Sequence, residues 1–220
     1  LRHGGAIRFL DLRDEANWAL LPEIRNAVTV LVPTQLLDDP ARAASLHALS
    51  ACQDVLVQAE WNDVSEVEGL RTLTNIVGLQ IASTADTRGP TIRSEQMRQL
   101  AGLWDLRLLA FTNVGNYIEE WIAQFAHLRT FFRGGCSVCD YLNDEGLGRI
   151  AALPEIESVV ARGFVLTDAG VAHFANAPHL RSLSLWGDGL TRAAVEAVGN
   201  PPNLESLYLH SSSETEQEPL

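Results

Sequence analysis

The sequence predicts an α/β solenoid, in which short helix–strand units stack with their strands side by side in one parallel sheet. Three observations predict it. The last third of the 220-residue chain repeats itself without gaps every 24 residues. Each repeat carries two hydrophobic periods in succession, first that of a helix and then that of a strand. A proline separates the two in every repeat, where it ends the helix and sets the turn.

The three clear units begin at Leu142, Leu166 and Leu190 and read LNDEGLGRIAALPEIESVVARGFV, LTDAGVAHFANAPHLRSLSLWGDG and LTRAAVEAVGNPPNLESLYLHSSS. Leu147, Val171 and Val195 match one another, as do Ile150, Phe174 and Val198, three residues further on. That spacing makes one face of a short helix. After Pro154, Pro178 and Pro202 come Ile156, Leu180 and Leu204, then the alternating pairs Val159 and Ala161, Leu183 and Leu185, Leu207 and Leu209. Alternation buries one face of a strand and leaves the other free. A single unit is too small to order itself, so stacking is obligatory and each neighbour supplies an apolar wall.

Upstream the pattern persists with slips. Met97, Leu100, Leu103, Leu106, Leu109 and Phe111 form one unit, and Ile118, Ile122, Phe125, Leu128 and Phe131 the next, with Arg133 where a small apolar residue is expected. Val67, Leu70, Leu73, Ile76, Leu79 and Ile81 precede these, after Leu46, Leu49, Cys52, Val55 and Val57. Two more strands fall near residues 27–32 and 7–12, too close together for a full helix between them. The total is eight or nine strands. Insertions fall near 84–90 and 134–141, at strand exits. The expected organisation is one solenoid over residues 1–213, with clear repeats at 142–213 and degenerate ones at about 1–141. An acidic tail over 214–220 is expected to be disordered.

The segments LTDAGVAHFANAPHLRSLSL and LTRAAVEAVGNPPNLESLYL resemble the leucine-rich-repeat family, in particular its 24-residue bacterial and cysteine-containing types. The resemblance implies a curved right-handed coil with a parallel β-sheet on the concave face, short helices on the convex face, and a role as a binding scaffold. One feature departs from the family. Its usual Asn in the turn after the strand is replaced by Glu60, Thr84, Val114, Cys136, Phe164, Asp188 and Ser212, so an irregular backbone ladder is expected there.

Composition narrows the function. A formal charge of −12 argues against a nucleic-acid partner, which would call for clustered Lys and Arg. No stretch approaches the roughly 18 apolar residues of a membrane helix. The first residues, Leu1-Arg2-His3-Gly4-Gly5, carry neither an initiator Met nor an apolar signal core and read as a processed end. Three cysteines, Cys52, Cys136 and Cys139, are too few for a disulfide framework and favour the cytoplasm.

Residues between the buried strand positions face outward. One such column reads Leu56, Gln80, Ala110, Phe132, Val160, Ser184 and Tyr208, and the next Gln58, Ala82, Thr112, Gly134, Arg162, Trp186 and His210. Phe132, Arg162, Trp186, Tyr208 and His210 are therefore the candidate partner-binding residues, because exposed aromatics with Arg are the types enriched in binding hot spots. The competing reading is that strands favour aromatics in any case and that a one-residue slip would turn these side chains into core.

Other motifs carry less. Cys136-Ser-Val-Cys139 has redox or zinc spacing, yet it sits in an insertion rather than at a helix start, and Cys52 is a core position. His173 and His179 flank a helix on the outer side, and Ser211, Ser212 and Ser213 have no base at motif spacing. No cofactor, metal site or enzyme signature is expected. The sequence thus points to a bacterial, non-enzymatic protein-interaction module, alone or as a subunit of a larger assembly, with self-association through an uncapped C-terminal edge as a further contact. The alternatives are an immunity-type inhibitor of a basic toxin and, behind it, a redox or metal protein using Cys136 and Cys139.

Overall fold

In the computed structural model the structure describes residues 9–24, 28–33, 39–52, 55–60, 75–82, 100–103, 105–112, 118–134, 142–199 and 201–211. Among these residues nine strands lie side by side in chain order: β1 (Phe9–Asp11), β2 (Val28–Pro33), β3 (Val55–Glu60), β4 (Ile76–Ala82), β5 (Leu108–Thr112), β6 (Thr130–Gly134), β7 (Ser158–Arg162), β8 (Ser182–Trp186) and β9 (Ser206–His210). Every neighbouring pair is parallel. The expected α/β solenoid is what the chain forms, and its proposed tail lies outside the described residues.

The clear repeats hold α-helices at Asp144–Ala151 (α2), Asp168–Ala172 (α3) and Ala193–Ala197 (α4), and Pro40–Ser45 (α1) stands near the other end. Elsewhere the return is 3-10, at Glu15–Glu23, Leu46–Ala51, Leu100–Gly102 and Ile118–Gln124. The narrower 3-10 turn suits a short connection. The tight first return uses side chains as well: Trp18 Nε1 donates to the Leu12 carbonyl and Asn17 Nδ2 to that of Asp11, each at 2.8 Å.

The repeated Thr-Asp pair explains why adjacent coils hold one phase. Thr167 Oγ1 caps α3 by accepting from Ala169 N–H at 3.2 Å, and Thr191 Oγ1 accepts from the N–H of Ala193, the first residue of α4, at 3.1 Å. The preceding coil's Asp then fastens each Thr. Asp144 accepts from Thr167 N–H and Oγ1–H at 2.9 and 2.6 Å, and Asp168 does the same for Thr191 at 2.9 and 2.6 Å. The chain stops at Arg192, which stands where the next Asp would be.

At the strand entries one carbonyl serves two donors at each step. The carbonyl of Arg107 accepts from Arg129 and Thr130, that of Arg129 from Glu157 and Ser158, that of Glu157 from Arg181 and Ser182, and that of Arg181 from Glu205 and Ser206. At the strand exits Gly163 N–H donates to Trp186 and Gly187 N–H to His210, at 2.9 and 3.0 Å. A Cβ at Gly163 would lie 2.4 Å from the Leu142 carbonyl oxygen, and one at Gly187 2.7 Å from Leu166 Cβ. Around Phe164 and Asp188 close backbone approach therefore carries the ladder in place of the missing Asn, while Thr84, Val114, Cys136 and Ser212 lie outside the described residues. Asparagine works before the strands instead: Asn203 Nδ2 donates to the Pro178 carbonyl, and Asn75 Nδ2 to those of Leu49 and Cys52.

The core is a continuous column of inward residues from Leu10 to Val198, with Phe111, Phe125, Phe131 and Phe174 its largest members. The sequence alignment needs one correction. Val57 pairs with Leu79 and Ala59 with Ile81, so Leu56 stands beside Gly78 and Gln58 beside Gln80. Val55, Val57 and Ala59 alternate, so two registers bury the same face, and a bulge between Val55 and Leu56 settles the choice. A two-residue slip changes neighbours without changing which side chains face out. Arg133 takes the inward place between Phe111 and Ala161 and is the buried charged residue among those described.

Asp144→Ala is expected to destabilise the protein by about 1–3 kcal/mol, because it strips the part-buried Thr167 of two charge-assisted hydrogen bonds. Asp168→Ala, whose bonds are exposed, should cost less. Denaturant midpoints of the two variants check the order.

Candidate functional site

The outer face of the sheet is built from every second strand residue. Its first column runs Phe9, Thr29, Leu56, Gly78, Leu108, Thr130, Ser158, Ser182 and Ser206. The middle column runs Asp11, Leu31, Gln58, Gln80, Ala110, Phe132, Val160, Ser184 and Tyr208. The third holds Ala82, Thr112 and Gly134, then Arg162, Trp186 and His210.

The sequence-derived candidates divide into two places. Trp186, Tyr208 and His210 come together at the C-terminal end, with the Trp186 and Tyr208 rings 5.3 Å apart at 50° and those of Tyr208 and His210 6.4 Å apart at 12°. Tilted and offset rings at these distances attract one another beyond their burial. Tyr208 is 50 % exposed, and Trp186 is half-buried beneath it. Arg162 sits beside Trp186 in register, and its guanidinium carbon lies 5.1 Å from the centre of the Phe164 ring. That contact holds the charge against a ring in the turn after β7.

Phe132 is exposed as well, but it stands three strands from Tyr208 in the same column, about 14 Å at the usual strand spacing. Its ring lies along its own strand, with Cζ 3.0 Å from where a Gly134 Cβ would be. The outward reading had not singled out the N-terminal apolar pair, Phe9 and Leu56, both exposed. Leu56 leans across Gly78, whose missing side chain gives it room. The signal was in the sequence, a Gly inside a strand pattern, which marks a close approach.

Charged residues line the strand entries beside this face. Arg129 pairs with Glu155 at 3.1 Å and Glu157 at 3.5 Å, Arg181 with Glu205 at 2.6 Å, and His127 Nδ1 lies 2.8 Å from Glu155. The hydrogen bond from His127, helped by Arg129, holds the Glu155 carboxyl below its usual range. These exposed pairs set register more than they add stability. Among the described residues no group of three or more His, Cys, Asp or Glu side chains gathers as a metal site would. Cys52 is buried in the core, while Cys136 and Cys139 lie outside the described residues. His173 and His179 are exposed on the helical side.

Nine parallel strands in chain order, short helices behind them and leucines columned between define an α/β leucine-rich-repeat solenoid, with its sheet on the concave face and its helices on the convex face. Solved structures share this fold. The chain is similar to an internalin C2 from Listeria monocytogenes, at 18 % identity and a TM-score of 0.50, over 88 % of this chain and 84 % of that one. It is similar to a second Listeria monocytogenes internalin, inlF, at 13 % identity and a TM-score of 0.50, over 88 % of this chain and 56 % of that one. No family model and no curated protein matches the sequence. No helix among the described residues is long and apolar enough to cross a membrane.

Gly78→Ala is expected to cost less than about 1 kcal/mol, because the new Cβ would meet Leu56 Cδ2, the far end of an exposed side chain that can turn aside. The penalty should shrink when Leu56→Ala is added, and a double-mutant cycle on unfolding free energies measures the coupling.

Proposed function

We propose that the chain is a non-enzymatic protein-interaction module that seats a protein partner on the concave face of its sheet. The aromatic tray of Trp186, Tyr208 and His210, with Arg162 beside it, carries this reading. Aromatic side chains and Arg lose little freedom on contact and bury much area, which is why they dominate binding energy. Ser158, Ser182, Ser184 and Ser206 form a low floor next to the tray, so an inserted side chain meets no bulky obstacle there. Phe132 is an outlying contact for a partner long enough to span the intervening strands.

The partner is a protein rather than a nucleic acid or a membrane, since the chain carries −12 and Arg129 and Arg181 at the strand entries are engaged with Glu side chains. That charge would speed encounter with a basic protein. We place the module in the cytoplasm, with the solenoid running to residue 213 and residues 214–220 as an acidic tail. A redox or metal role through Cys136 and Cys139 gains no support from any described residue.

Trp186→Ala combined with Tyr208→Ala is expected to abolish partner capture in a pull-down read by mass spectrometry, and to leave the circular dichroism spectrum unchanged. Cys136→Ser should leave capture intact. Capture that survives the aromatic double variant would remove the tray from the binding site.

A further inference from the structure

Phe132 is far from Tyr208, but its ring is not far from Arg162. The ring folds along β6, with Cζ, Cε1 and Cε2 at 3.0, 3.1 and 3.9 Å from where a Gly134 Cβ would be, and so fills the outward place that Gly134 leaves empty. Arg133 pairs with Ala161, and the next residue of each strand, Gly134 and Arg162, ends β6 and β7 at one level. Arg162 in turn pairs with Trp186. At the usual strand spacing of about 4.8 Å, the row along these strand exits reads aromatic ring, arginine, indole. β6, β7 and β8 each have a neighbour on both sides, so the row is an interior feature of the sheet.

Arg162 is engaged differently from its paired counterparts. Arg13, Arg42, Arg129, Arg149 and Arg181 each meet a carboxylate, at distances between 2.6 and 3.1 Å. Arg162 is exposed, and the contact it makes is with the Phe164 ring, 5.1 Å from its guanidinium carbon. Among the described residues no carboxylate pairs with it. A ring engages the flat face of a guanidinium and leaves the N–H donors at its rim unspent. Those donors are what a carboxylate binds.

We infer that this row recognises a carboxylate of the partner: an Asp or Glu side chain flanked by apolar side chains in one protein segment. Arg162 takes the carboxylate, and Phe132 and Trp186 take the apolar neighbours. The inference rests on the concave-face reading and adds the chemistry of the residue recognised. An Arg fork matches the two oxygens of a carboxylate in plane, which a point charge would not do. Rings on both sides exclude water from the pair, and an ion pair gains strength as water leaves. The chain's −12 does not forbid the contact, because charges beyond a Debye length of about 8 Å are screened while the fork and the carboxylate meet at about 3 Å. It limits the setting instead. The carboxylate stands alone in a segment otherwise neutral or basic, since a run of acidic residues would be repelled on approach.

A random peptide library displayed on phage and selected on the intact chain tests this. The selected peptides that Trp186→Ala releases are expected to carry one Asp or Glu between apolar residues. Made as fluorescent peptides, they should bind Arg162→Glu about tenfold or more weakly in anisotropy titrations. Exchanging their acidic residue for Lys should restore binding to Arg162→Glu, which a folding defect could not produce. Peptides that Trp186→Ala releases but that lack a carboxylate, or that bind Arg162→Glu as tightly as the wild type, overturn the inference and leave the concave-face reading standing. A selection that enriches nothing, or only peptides indifferent to Trp186→Ala, removes the site itself and the inference with it.

Discussion

Each coil of this chain leaves hydrogen bonds and apolar surface that only its neighbour can satisfy, and the rest of the structure follows from that dependence. Asp144 is two residues from the start of its own repeat, yet its carboxylate serves Thr167 of the next. The Arg107, Arg129, Glu157 and Arg181 carbonyls likewise serve donors one coil ahead. Because these contacts join equivalent positions, a slip between coils would break them all at once. Cooperative stacking and fixed register are thus one property, as expected of a quasi-one-dimensional fold.

Fixed register is also what makes a surface. Once Leu183 and Leu185 are locked inward beside Leu207 and Leu209, the residues between them have nowhere to go but outward. Trp186 and His210 lie in one row for that reason, and Tyr208 falls between them close enough for its ring to touch both. No loop has to fold to build the tray. Its side chains stand on the best-tied part of the sheet, so little ordering would remain to be done on contact with the proposed partner.

The repeats at 142–213 were legible because three ungapped copies state the pattern three times. Leu183, Leu185, Leu207 and Leu209 fix the strand phase, and the columns through Trp186 and Tyr208 followed from it. The upstream coils were legible in outline only. Val55, Val57 and Ala59 alternate through two equivalent registers, and a bulge that no residue type announces selected between them. The ring contacts were beyond reach as well. Alternation says that Tyr208 and His210 face out, but their near-parallel stacking depends on rotamers, and the seat of Arg162 over Phe164 on the path of a turn. The lost Asn ladder misled for a physical reason: Gly163 and Gly187 let backbone approach backbone, and that contact leaves no side chain to recognise.

Charge is sorted by the same geometry. Successive strand entries sit about 4.8 Å apart, close enough that a row of like charges would repel, and along β7 to β9 the entries alternate as Glu157, Arg181 and Glu205. With Arg107 and Arg129 this row holds three Arg and two Glu, a balance of +1, so the chain's −12 is carried elsewhere. Asp11 and Arg162 are the charged members of the outward columns whose side chains are described, and their charges are opposite, so the concave face is nearly neutral inside a strongly acidic molecule. In the proposed binding module long-range attraction and close-range fit would fall on different surfaces, the acidic exterior acting on the rate of encounter and the aromatic shape on what stays.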